Sequence, residues 1–242
     1  KNKNNIGCLV LVNLNGRVND ADKYKRIIKN KKIIIIEDNA QSFLSARKNF
    51  VSPISKIACY STGSTKLLNT LQGGFCATND KKVFQRILLA RNHGIYDLFT
   101  DKWNSPGFNL KPNNFQCFLG LNELKIAHKK KRQCIKINNL YIKKITNKKV
   151  KLLTTKYEKG EFPIYVQALV DNKVKFKKYL SQKGIEIRYL PPSLSESKYL
   201  NKDTKKKFKN SMVLSKKGVY LPCGPSQNLK SILYAIKVIN KY

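Results

Sequence analysis

Four short segments hold the polar groups whose types and spacing could do chemistry. Glu37-Asp38-Asn39-Ala40-Gln41 follows directly on the isoleucine run 33–36. A carboxylate at the C-terminal end of a parallel strand faces the crevice in which α/β proteins bind ligands. An Asp there equally serves to cap the next helix. Ser61-Thr62-Gly63-Ser64-Thr65-Lys66 offers hydroxyls, one glycine and a terminal amine, a set able to wrap a phosphate. Lys66 then reads either as a point charge for phosphate or as an amine that attacks a carbonyl to form a Schiff base. The segment lacks the G-x-x-x-x-G-K spacing of a nucleotide-triphosphate loop. Gln72-Gly73-Gly74 leads into an apolar run and reads equally as a strand-entry turn. In Gly107-Phe108-Asn109-Leu110-Lys111, the Asn suits a helix cap as well as a ligand contact.

The elements that must position these groups follow from periodicity. Apolar or β-branched runs at 8–12, 33–36, 57–60 and 74–78 predict strands, with the isoleucines marking a central parallel one. Helical spacing at 20–30 and 80–91 lies between them, so the first part predicts an α/β sheet covered by helices. A break rich in Asn, Gly and Pro spans 100–112, and a long helix is predicted from about 113 to 145. Leu119, Leu121, Leu124 and Ile126 are expected to feed its buried face, and the lysines along 129–144 to form a solvated one. Beyond 150, strands at 162–170 and 185–190 and helices at 172–183, near 205–217 and at 228–240, with a turn at 221–226, predict a smaller α+β unit. The expected domains are a large one over 1–128 and a small one over 129–242.

Composition narrows the function classes. The 242 residues carry 49 basic and 14 acidic groups, a formal net charge of +35, and 41% hydrophobic residues, enough for a packed core. Of the basic residues 42 are Lys and 7 Arg, while Asn (25) and Ile (22) are abundant and Ala (9) scarce. That pattern fits AT-rich codons, and it lacks the arginines that read nucleic acid by bidentate contacts. No dedicated nucleic-acid partner is therefore expected, only non-specific attraction of polyanions. No run of about 18 apolar residues is present to cross a membrane. The six cysteines show no C-x-x-C spacing and only His93 and His128 accompany them, so no metal site is expected. Most of the cysteines are expected to be small buried hydrophobes in a reducing cytoplasm. The chain opens on Lys1 and is expected to be a fragment of a longer protein.

In order, IIIIEDNAQSF (33–43), the S-x-x-x-x-K of 61–66, GG with ATND (73–80), RNHG (91–94), GFN (107–109) and FLGLNEL (118–124) resemble the DegT/DnrJ/EryC1/StrS family of nucleotide-sugar aminotransferases. The likeness is collinear from Val12 to Leu124 and continues more loosely through GIEIRYLPP (184–192) and LPCGP (221–225). It implies an α/β fold of the type I pyridoxal-phosphate transferases: a mixed sheet flanked by helices, with a smaller α+β C-terminal domain. It implies pyridoxal 5'-phosphate as cofactor, bound covalently by the catalytic Lys66. Asp38 would hold the pyridinium nitrogen, Gln41 would lie beside the ring, and Ser61 would bind the phosphate. Asn109 would reach the cofactor phosphate of the other subunit, which implies a homodimer with shared sites. Lys111 and Arg188 would contact substrate. The implied reaction moves an amino group, from glutamate, to a nucleotide-linked keto-sugar used for surface polysaccharide or glycan building. Sister dehydratases of the same fold carry His where Lys66 stands, so Lys66 favours transamination. A catalytically idle relative and a polyanion-binding protein are the other readings. The chain departs from the family at Asn13 (usually His), Gln72 (often acidic) and Lys111 (usually Arg), and the resemblance implies that the N-terminal third, which supplies a phosphate loop and a stacking ring, is missing from this sequence.

Overall fold

The computed structural model describes residues 6–19, 21–28, 32–45, 50–97, 99, 102–103, 105–199 and 208–242. The chain divides into two compact units. The first comprises Lys1–His128 with Lys156–Phe162, and the second Lys129–Thr155 with Pro163–Tyr242.

The first unit is built on a four-stranded sheet in the order β1 (Cys8–Val12), β2 (Ile34–Asp38), β3 (Ile57–Ser61), β4 (Gly74–Ala77). β2 pairs parallel to both neighbours, and β4 runs antiparallel to β3, so the sheet is mixed. The isoleucine run becomes the central strand because β-branched side chains suit a pleated surface buried on its core side. Leu11, Ile35, Ala58 and Tyr60 point to that buried side. Tyr24 of α1 (Ala21–Ile27) and Ile28 pack against Leu11 and Ile35. The opposite side of the sheet is open among the described residues, with Val10, Val12 and Ile34 about half exposed. Gly16 turns the chain after β1 at φ 72°, and a Cβ there would lie 1.7 Å from the Phe162 carbonyl oxygen, so only glycine fits. Asp80 caps α2 (Lys81–Arg91) by accepting from the Lys82 and Val83 amides, and also pairs with Lys56.

The long helix α3 (Asn114–Lys144) starts with a reciprocal cap. The Gln116 amide donates to Asn113 Oδ1, and the Asn113 amide donates to Gln116 Oε1. Its N-terminal part corrects one expectation: Leu121, Leu124 and Ile126 are exposed rather than buried. The helical period was right, but a stripe of apolar residues says only that a helix can bury a face, not that this chain covers it.

The second unit has an antiparallel sheet in the order β5 (Val150–Leu152), β6 (Val166–Val170), β8 (Gly218–Leu221), β7 (Arg188–Tyr189). Its core gathers Ile137 and Tyr141 of α3, Phe176 and Leu180 of α4 (Lys173–Ser181), and Ile232, Ile236 and Ile239 of α6 (Leu229–Asn240). Tyr141 donates its hydroxyl to the Pro222 carbonyl at 2.8 Å. Lys129, Lys136, Lys143 and Lys144 stay on the outer side of α3. The strand expected over 162–170 begins only at Val166, since Pro163 has no amide for a ladder. β5 and β8 escaped the sequence reading. The first is three residues long, and the second follows α5 (Lys209–Lys217) without a break. Asp20 and residues 29–30 of the helix read over 20–30, and residues 205–207 of the one read near 205–217, lie outside the described residues.

The cysteine expectation also needs correcting. Only Cys134 is buried; Cys59 and Cys223 are half-buried, and Cys8, Cys76 and Cys117 are exposed. Cys8 and Cys76 alternate onto the open side of the sheet, where an apolar run no longer guarantees burial.

Ile137→Ala empties a fully buried position and is expected to cost about 2–5 kcal/mol in urea unfolding. Ile142→Ala, on the same helix but 44% exposed, is expected to cost well under half as much.

Candidate active site

The site is built on the C-terminal ends of β2 and β3. Asp38 closes β2, in register with Val12 on one side and Cys59 on the other. Its Oδ1 accepts from the Ala40 amide at 3.0 Å, which fixes the carboxylate at the strand end. The two readings of this Asp are thus separated: it turns the chain locally and caps no helix, because 39–45 forms turns. Gln41 accepts from the Asn15 amide through Oε1 at 3.0 Å, and its carbonyl accepts from Gly16. Its Nε2 stays available as a donor.

Beneath Asp38 lies a buried polar network. Asn13 donates through Nδ2 to Asn39 Oδ1, and accepts from the Asn19 amide at 2.7 Å. Asn39 donates to Tyr60 Oη at 3.0 Å, and accepts from Ser42 at 3.1 Å. Tyr60 donates onward to the Phe50 carbonyl at 2.6 Å. Asn13 and Asn39 are each 1% exposed, so the bonds they make satisfy groups that water cannot reach. Tyr60 also stacks on Phe75 of β4, ring centroids 4.6 Å apart. This network was missed from sequence; the signal available was the pair of asparagines that directly follow β1 and β2. Glu37, next to Asp38, is fully buried on the opposite face, where its Oε1 accepts from the Ser52 amide at 2.9 Å.

The Ser61–Lys66 segment opens a loop that is tied at both ends. The Thr62 amide donates to the Gly73 carbonyl and the Thr70 amide to the Thr62 carbonyl, while the two hydroxyls lie 2.7 Å apart. Gly73 holds φ 117°, and a Cβ on Gly74 would sit 2.2 Å from the Tyr60 carbonyl oxygen. The paired glycines therefore have a steric reason: they let β4 close onto β3. Within the loop, Ser61 Oγ accepts from Gly63 at 3.3 Å and Lys66 donates its amide to the Gly63 carbonyl. Leu67 and Leu68 are buried directly after it and anchor the loop. Lys66 is half-buried, and its ammonium makes no hydrogen bond or ion pair among the described residues.

Asn109 and Lys111 occupy a second place in the same unit. Asn109 forms a bridge with Asn92, and the Phe108 and Leu110 amides donate to the Ala90 and Arg91 carbonyls. Gly94 and Gly107 touch backbone to backbone: a Cβ on Gly107 would lie 2.0 Å from the Gly94 nitrogen. Asn109 is exposed with an uncommitted amide, whereas the Lys111 ammonium donates to Asn92 Oδ1 at 2.9 Å. Arg188 lies on β7 of the second unit, 3.6 Å from Glu186, with a largely exposed side chain. The first unit thus brings Asp38, Gln41, Ser61 and Lys66 to one end of its sheet, with Asn109 and Lys111 at the 92–109 bridge.

Residues 3–240 match the model of the DegT/DnrJ/EryC1/StrS aminotransferase family. The chain is 26% identical over 247 residues to the GDP-perosamine synthase of Escherichia coli O157:H7, covering 99% of this chain and 66% of that protein. It therefore spans just under two thirds of that relative's length. Among solved structures, the Helicobacter pylori aminotransferase PseC, involved in the biosynthesis of pseudoaminic acid, superposes with a TM-score of 0.80 at 21% identity, over 96% of this chain and 65% of that one. The E. coli GDP-4-keto-6-deoxy-D-mannose-3-dehydratase with bound hydrated PLP gives a TM-score of 0.79 at 21% identity, over 98% and 68%. The expected fold, that of the type I transferases, is the one observed.

Asn39→Ala removes the centre of the network and strands the Asn13 amide and a Tyr60 lone pair. It is expected to lower stability in urea by about 1–3 kcal/mol for each buried group left unpaired.

Proposed function

The chain belongs to the DegT/DnrJ/EryC1/StrS aminotransferase family, and on that premise we propose that it transfers an amino group, from glutamate, to a nucleotide-linked keto-sugar with the help of pyridoxal 5'-phosphate. The observation that carries the reading is Lys66: a half-buried amine with no competing partner among the described residues, in a loop opened by Ser61 at the strand ends that also hold Asp38.

The residues present fit that cofactor. Asp38 spends one oxygen on Ala40 and keeps the other for a pyridinium N–H. Ser61 accepts from Gly63 and keeps its hydrogen for a phosphate oxygen. Gln41 is oriented by Asn15 and keeps Nε2 for the ring's oxygen. Asn109 would contact the phosphate held by a second subunit, and the exposed Phe118 and Leu121 of α3 support a homodimer. Lys111 and Arg188 would meet anionic groups of the substrate. When bound, the cofactor supplies an electron sink for the charge that develops at the donor's Cα. Asp38 would hold a proton on the ring nitrogen and so would keep that sink positive. Lys66 Nζ takes the proton from the donor's Cα as general base. In the second half-reaction the same amine returns a proton to the sugar carbon that receives nitrogen.

The names of the relatives support a nucleotide sugar as the acceptor class, and one relative named for spore coat polysaccharide biosynthesis supports polysaccharide building as the setting. The second reading, sugar dehydration, is favoured by the likeness to a dehydratase. Lys66, where that branch carries His, supports transamination. Among the described residues no helix is long and apolar enough to cross a membrane.

Amino transfer from glutamate to 4-keto and 3-keto nucleotide sugars, read by mass spectrometry, tests the reading. Lys66→Ala is expected to abolish turnover. Asp38→Asn is expected to retain cofactor but lower kcat by about 10²–10³-fold, the usual loss when a group stabilising transition-state charge is removed. Normal turnover by either variant contradicts the assignment.

A further inference from the structure

The sheet register places two thiols against each other. Cys59 of β3 and Cys76 of β4 are direct cross-strand partners, and their Sγ atoms lie 3.9 Å apart. The ladder phase favours this contact. Thr62 donates to the Gly73 carbonyl, so the pair Thr62/Gly73 is hydrogen-bonded, and alternation makes Cys59/Cys76, three pairs on, a non-hydrogen-bonded one. At such positions the Cα atoms stand about 4.5 Å apart and the side chains are closest, within the span of about 4.4–6.8 Å that a disulfide bridges. Cys76 is exposed on a strand with no further neighbour among the described residues, while Cys59 is half-buried behind it. Burial, then the neighbouring Cys76, then Asp38 push the Cys59 thiol up to about 11, so it stays protonated near neutrality.

We propose that Cys59 and Cys76 form a reversible redox-modification site, oxidised by hydrogen peroxide to an intramolecular disulfide and restored by a dithiol. The exposed Cys76 sulfur attacks hydrogen peroxide: an S–O bond forms, the O–O bond breaks, and the displaced hydroxide takes the thiol proton and leaves as one water. The Cys59 sulfur then attacks the resulting sulfenic acid, losing its proton as the S–S bond forms and the S–O bond breaks, and a second water leaves. Two thiols and one peroxide thus become one disulfide and two waters. The bond closes a covalent ring around residues 60–75, which contain Ser61, Lys66 and the paired glycines.

The test treats the reduced protein with a stoichiometric amount of hydrogen peroxide and maps its peptides. The expected result is loss of two of the six free thiols, a mass lower by two hydrogens, a peptide joining Cys59 to Cys76, and full reversal by dithiothreitol. In Cys59→Ser, Cys76 is expected to persist as a sulfenic acid that dimedone traps; Cys59→Ala reads out the same step should the serine variant misfold. Peroxide that converts Cys76 of the wild type to sulfinic acid without linkage, that links other cysteines such as Cys8 and Cys117, or that leaves all six thiols free overturns the proposal.

Discussion

The parallel pairing of β2 with both β1 and β3 sets where every polar group of the first unit can lie. A strand bonded on both edges cannot slip without moving its whole apolar set to the other face. Ile35 and Glu37 are held on the buried side and Asp38 on the open one. Because β2 ends in register with Val12 and Cys59, the chain leaves all three parallel strands at the same edge. The turn at Asn39–Gln41, the turn at Leu14–Gly16 and the loop opening at Ser61 meet that edge together. The chemistry is gathered by sheet register, although its residues come from segments more than twenty positions apart.

Two devices then make that edge rigid. The Asn13–Asn39–Tyr60 network ties the ends of β1, β2 and β3 through side chains that are shielded from water, where an unmade bond costs more than a made one gains. The Thr62–Thr70–Gly73 closure shapes the loop around Lys66, and the buried Leu67 and Leu68 anchor it. Among the described residues the amine itself is left uncommitted. A network whose buried amides are satisfied, beside an amine left without a partner among the described residues, is what preorganised chemistry requires.

Much of this was legible in the residues. The isoleucines announced a central strand, and the carboxylate after them and the hydroxyl-rich segment before Lys66 were legible as strand-end segments, which is where they lie. Collinear motifs added a family, and the family fold was observed. What stayed hidden was pairing. Nothing local says that Asn13 reaches Asn39, or that Cys59 opposes Cys76, because both contacts are made by register between distant strands. The buried face assigned to Leu121, Leu124 and Ile126 failed for a related reason: periodicity shows a stripe but not what covers it. The short β5, and β8 following directly on α5, fell below what pattern alone resolves.

Lys66 is the amine proposed to meet the cofactor's carbonyl. Protein incubated with pyridoxal 5'-phosphate, reduced with borohydride and digested can be mapped by mass spectrometry to find the modified residue. A single phosphopyridoxyl group on Lys66, accompanied by loss of the yellow colour, is the predicted result. Modification scattered over the many surface lysines with Lys66 unmodified would contradict it.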